Sequence, residues 1–391
     1  MTGRLQVVTT RDQRSVNGWW QAGRPRIGTG PRATVHGMPA GSDAVTSAVL
    51  VVVFLLAVSV FVLVRRARAR GLPRNATAVE PPDGHTPQAA VIVHAVKVDD
   101  EDARRRQIEA ASAQLGWAAP LWLETTADDP GRSQTRSALE AGADAVLAFG
   151  GDGTARIVAE GLLRTGVPLG LLPAGTGNLL ARNLGVPPNR LETALYIALN
   201  GRDRLIDVGR AEVGPGDGSG ALVRETFLVM AGLGFDAEVM ADVDPTLKDR
   251  VGWWAYVVAG IGRLRGRRTA VTLTMDGGPP EARRIRAVVI GNCGMLTGGV
   301  QLMPEARLDD GWLDVVVVTP RTVLGWLSVV VAVLTRRRGR AIVEHLRCRS
   351  VEIKTERPLH VQLDGDIAGT ARLLRAAVDP LALLVRVPDD E

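Results

Sequence analysis

The segment Ala145–Thr154, reading AVLAFGGDGT, restricts the fold more than any other part of the chain. An apolar run long enough for a buried strand breaks into glycines, an aspartate and a threonine. After Thr154 the period changes, and Ile157, Val158, Leu162 and Leu163 recur at helical spacing. A strand that runs through a glycine turn into a helix gathers backbone N–H groups at the helix N-terminus, a natural phosphate cradle. Glycine lets the backbone approach phosphates closely. Thr154 offers a hydroxyl, and Asp152 a carboxylate that can face a metal-bound or hydroxylated ligand. The plainer reading is a structural turn, because Gly-Gly and Asp-Gly pairs are common punctuation.

Leu169–Asn178, LGLLPAGTGN, repeats the pattern: an apolar strand, a glycine-rich turn, then a helix through Leu179, Leu180, Ala181, Arg182 and Leu184. Two such units in tandem place two loops at the carboxyl edge of a parallel sheet, where open α/β sheets bind their ligands. Other phosphate motifs fit poorly. The lysines are Lys97, Lys248 and Lys354, and none follows a glycine as a P-loop requires. Arg156 stands where the third glycine of a dinucleotide fingerprint would be.

GGDGT followed by LLPAGTGNLLARNLG resembles the catalytic domain of the bacterial diacylglycerol kinase-like lipid kinases, with sphingosine kinases and NAD kinases as more distant relatives. The resemblance runs from about Ala89 to Pro388. It implies an α/β nucleotide-binding domain with a parallel sheet, followed by a mostly antiparallel β-sandwich domain. It also implies ATP and Mg²⁺ as cofactors and a membrane lipid as the acceptor. A homodimer is compatible with it.

Residues 1–74 carry eleven arginines against Asp12 and Asp43, a net of +9, which leaves the remainder at −4 of a total of +5. The basic character therefore belongs to the leader, and a nucleic-acid-binding body is not expected. Cys293 and Cys348 lie far apart with no CxxC pattern, which argues against a zinc site or a disulfide framework. Residues 1–43 read as a disordered tail, and Met38 is an alternative start. Ala44–Val64 is uncharged and matches the roughly 20 residues a helix needs to cross a bilayer. Arg65, Arg66, Arg68, Arg70 and Arg74 follow, which predicts a single-pass anchor in the cell membrane with the catalytic part cytoplasmic. Residues 65–87 read as a basic, Pro-rich linker. The α/β domain is expected over 88–204, the β-rich domain over 205–370, and a last strand returning to the first domain within 371–391.

The family pattern assigns further residues. Gly150, Gly151, Asp152, Gly153 and Thr154, with Gly175, Thr176 and Asn178, would hold ATP, Asp152 orienting the nucleotide or its Mg²⁺. Thr126, with Thr125 as a near alternative, falls where the family contacts ATP; a cap or turn hydroxyl is the plainer reading. His94-Ala95 stands where the family has Asn-Pro after the first strand. Asp310 falls where an aspartate helps to hold a structural Mg²⁺ through oxygen ligands; alone it reads as an Asp-Gly turn. Lys248 could meet a phosphate. Val323–Leu334 with the arginines after it suits an anionic membrane surface or a buried helix. Asp364-Gly365-Asp366 stands where the family has Asp-Gly-Glu. Asp366 would be the catalytic base, with Asp364 beside it, although without the other markers a hairpin turn would be preferred.

These readings converge on an ATP-dependent lipid kinase. A kinase of a soluble acceptor, as NAD kinase is, and a non-catalytic nucleotide-binding protein are the alternatives.

Overall fold

The computed structural model describes residues 85–215, 220–234, 268–296, 301–319 and 343–389. The expected tail, membrane helix and most of the linker lie outside these residues, as do Lys248 and Val323–Leu334. Among the described residues no helix is long and apolar enough to cross a membrane.

Two strand chemistries divide the fold. β1 (Ala89–Val93), β3 (Ala145–Gly150) and β4 (Leu169–Pro173) are continuous apolar runs, buried almost throughout. Such runs suit parallel strands covered on both faces. β2 (Leu121–Glu124) completes a parallel array in the order β4-β3-β1-β2. Helices α1 (Glu101–Gln114), α2 (Arg132–Glu140), α3 (Asp152–Leu162), α4 (Leu179–Asn183) and α5 (Leu191–Asn200) alternate with or follow these strands. Ile108, Val158, Leu162 and Leu195 join the strands in one core.

Beyond α5 the strands pair antiparallel with one another and tend to alternate. β8 (Thr269–Met275) and the start of β13 (Ser350–Leu363) bury every second residue, the pattern of a sheet with one wetted face. Phe227, Leu273, Ile290, Val315 and Ile353 form a second core. β5 (Arg202–Gly214) and β14 (Asp366–Val387) tie the halves together. β14 pairs antiparallel with β13 and β5, and near its end Val385 lies parallel to Leu169 of β4. The result is one mixed, branched sheet of fourteen strands serving two cores. Both tying strands cross the boundaries expected at 204 and 370.

β6 (Val223–Phe227) stops and β7 (Met230–Leu233) begins because the N–H groups of Leu228, Val229 and Met230 turn toward the Asp364 carboxylate.

Candidate active site

The two glycine loops are packed against each other. Gly151 caps α3, which starts at Asp152. Asp152, Gly153 and Thr154 therefore form the first turn of the helix, three residues earlier than the apolar spacing suggested. Thr154 is buried beneath the strand end: a methyl on Gly150 would come 2.5 Å from its Oγ1. A methyl on Gly175 would come 2.7 Å from Gly151 Cα. The Ala174 N–H donates to the Gly150 carbonyl at 2.8 Å. So several of these glycines are required by loop-to-loop contact, whether or not a ligand is present. Thr176 is exposed between the loops.

Asn178 does not face outward. It is buried in the left-handed conformation at φ 47°, and its amide both accepts from the Gly175 N–H, at 3.1 Å, and donates to the Gly175 carbonyl. It braces the second loop. Asp152 performs a similar service between loops. Its Oδ1 accepts the Leu179 N–H at 2.5 Å and the Leu180 N–H at 3.4 Å, so the start of α3 caps α4. Burial, then the nearby Asp364, push its carboxyl up to about 7, and Asp366 adds to the shift.

Two cations enter this region from outside the motifs. Lys97 lies in a 3₁₀ turn after β1, and its Nζ stands 3.2 Å from where a Gly151 Cβ would be. No carboxylate among the described residues pairs with it. The sequence hid this lysine because it follows no glycine. The usable signal was its place just after the first strand of a parallel sheet, on the ligand-binding edge. Arg156, one turn into α3, reaches Glu225 Oε2 and Asp366 Oδ2, each at 3.4 Å.

The fold brings Asp366 against the first of these loops. It opens β14, and its Oδ2 would lie 2.9 Å from a methyl on Gly153. The contact with Arg156 closes 210 residues of sequence. The hairpin reading is also right: Asp364 and Gly365, at φ 51° and 94°, form the two-residue turn joining β13 to β14. Asp364, expected beside the base, is buried and accepts three backbone N–H groups, from Leu228 at 2.9 Å, Val229 at 2.8 Å and Met230 at 3.0 Å. Burial holds its carboxyl above the usual range against those hydrogen bonds. With its oxygens engaged by backbone N–H groups, it serves as an anchor of the hairpin.

Two expected residues stand apart from this constellation. The Thr126 hydroxyl accepts the Asp129 N–H at 3.0 Å, and Asp129 in turn accepts from the first N–H groups of α2. Thr126 thus closes a turn. Asp310 pairs with Arg347 at 2.5 Å and accepts the Trp312 N–H at 3.1 Å. Both carboxylate oxygens are engaged by donors, one of them a guanidinium, so the residues present do not fit the structural Mg²⁺ expected there. No group of three or more His, Cys, Asp or Glu side chains among the described residues is arranged to hold a metal.

The description "Diacylglycerol kinase catalytic domain" matches residues 90–211, and "YegS C-terminal NAD kinase beta sandwich-like domain" matches 229–387. A probable YegS-like lipid kinase of Pseudomonas putida is 33% identical over 77% of this chain and 95% of its own length. A counterpart from Pseudomonas fluorescens is 34% identical over 78% and 96%. The crystal structure of a diacylglycerol kinase from Bacillus anthracis superposes with a TM-score of 0.61 at 24% identity, covering 77% of this chain and 96% of that one, a likeness of fold.

Proposed function

The chain belongs to the YegS-like lipid kinase family, and from that premise we propose that it transfers the γ-phosphoryl group of ATP to the hydroxyl of a diacylglycerol-like lipid at the cytoplasmic face of a membrane. The observation that carries the reading is the position of Asp366 against the first turn of α3. A carboxylate from the β-rich half and a glycine-lined phosphate cradle from the α/β half meet there.

Phosphoryl transfer asks little covalent chemistry of a protein and much positioning. In this reading the backbone of Gly151–Gly153 and the exposed edge at Thr176 receive the phosphates, with Lys97 supplying a positive charge. Bound with ATP, Mg²⁺ supplies neutralisation of phosphate charge. Asp152, whose carboxyl is crowded by burial and by Asp364, is the residue whose surroundings suit that cation. The lipid oxygen bonds to the γ-phosphorus as the bond to the ADP oxygen breaks, and Asp366 takes the hydroxyl proton. General-base help of this kind is typically worth about 10²–10⁴-fold. Tethering through residues 44–64 would confine the enzyme to the surface that holds its substrate.

Incubation with radiolabelled ATP and total extracted lipid tests the reading. A labelled lipid that disappears with Asp366→Asn supports it, and Asp366→Asn should still bind ATP. A chain beginning at Pro87 should keep activity on detergent-dispersed lipid and lose it on intact membranes. Label appearing only in a soluble acceptor would favour the NAD kinase-like alternative, and ATP binding without any turnover would favour a non-catalytic protein.

A further inference from the structure

Asp366 has a mechanical problem. Its side chain is 59% exposed, it follows a two-residue turn, and it is one methylene shorter than glutamate. An exposed carboxylate on a hairpin tip samples several rotamers, and few of them face the cradle. The structure supplies a holder. Arg156 projects from α3 with only 14% of its side chain exposed, and its two terminal nitrogens engage carboxylates from two different strands, Glu225 of β6 and Asp366 of β14. A guanidinium is a planar fork that can serve two acceptors in fixed directions; an ammonium is a point charge on a flexible stem. Glu225 orients the fork so that the other prong faces Asp366.

The remaining nitrogen shows what this arrangement costs. Arg156 Nε is buried with no acceptor among the described residues. A buried unmet donor is unfavourable, and a partly exposed ion pair returns little stability. Fold stability therefore does not explain this placement.

We propose that Arg156 is a positioning residue that holds the Asp366 carboxylate against Gly153, where the acceptor hydroxyl must lie. The inference rests on the kinase reading above. Gly153 completes the seat, since the Asp366 oxygen lies 2.9 Å from where a β-carbon would stand, closer than a side chain there would allow.

A double-mutant cycle tests it, with ATP and dioleoylglycerol in detergent micelles. Arg156→Met should lower kcat about 10- to 100-fold, the scale of a misplaced catalytic group, while KM for ATP stays within about twofold. Arg156→Lys should recover part of the loss. Adding Arg156→Met to Asp366→Asn should cost nothing further, because the group being positioned is already gone. Losses that multiply, or a rise in KM for ATP in place of a fall in kcat, would overturn the proposal. If Arg156→Met does not fold, Arg156→Lys carries the same cycle. A parental chain that phosphorylates no lipid refutes the kinase reading instead. The pairing is then read from the ¹³C carboxyl resonance of Asp366 without substrate: displacement in Arg156→Lys supports the contact, and an unmoved resonance refutes it.

Discussion

The glycine loops and the Asp364–Asp366 hairpin are both turns, but they are held in opposite ways. The loops are held by near neighbours: Asp152 caps a helix 27 residues on, and Asn178 braces a glycine three residues back. The hairpin is held by distant ones. Asp364 anchors backbone 134 to 136 residues away, and Asp366 meets an arginine 210 residues away. A site assembled from one local and one non-local part should fail differently when each part is damaged.

The largest effect should come from the hairpin's anchor. Asp364→Ala leaves three buried N–H groups without an acceptor, each costing about 1–3 kcal/mol, a large share of the roughly 5–15 kcal/mol that holds a domain together. Loss of the cooperative thermal transition is expected. Asp364→Asn keeps an acceptor and should be milder. Asp366→Asn, two residues away, should leave the melting curve unchanged. If Asp364→Ala melts like the parental chain, the hairpin is not anchored as described and the contrast disappears.

The same contrast explains what the sequence disclosed. The parallel half was legible because its signals are local: continuous apolar strands, glycine turns, helical spacing. Asp366 was found through a family resemblance, and unaided it reads as an Asp-Gly hairpin, which it also is. Asp364 and Asp366 look equivalent in sequence; only the fold turns one into the structure and the other out. Arg156 and Glu225 carried no signal, because nothing in either neighbourhood predicts that β6 comes within reach of α3. Asp310 misled for the same reason. The guanidinium occupying it comes from Arg347, 37 residues further on.

The next effect in size sharpens the local side. Lys97→Met removes the cation over Gly151. Hydrogen bonds to charged groups are worth about 1.5–3 kcal/mol, and exposure reduces that here, so KM for ATP should rise about tenfold with little change in kcat or melting temperature. An unchanged KM would remove Lys97 from the phosphates.

A smaller effect probes the seam. Gly153→Ala should help the helix, where alanine is better than glycine by about 0.8–1 kcal/mol. The new methyl would crowd the Asp366 oxygen, which can swing away cheaply because it ends an exposed side chain. Stability should hold or rise while kcat falls about fivefold, as expected for a slightly displaced base. Stability and activity falling together would mean that the residue matters only for packing.

The last effect lies where the regions meet electrically. The Asp152 carboxyl is pushed from 3.8 up to about 7 by burial first and by Asp364 next. The sign follows from proton counting. Between about pH 4 and 7 the folded chain holds a proton there that the unfolded chain has released, so this group's contribution to stability falls as pH rises through that window and levels off above it. Asp152→Asn keeps an oxygen to accept the Leu179 N–H and removes the titration. The variant's melting temperature, compared with the parental one, should gain steadily from pH 4 to 7 and then run parallel. Parallel curves across the whole range would mean that Asp152 is ionised at no cost in the fold. In that case the carboxylates of the loop and the hairpin would not sense each other before a ligand arrives, and the case for a cation beside Asp152 would lose its physical basis.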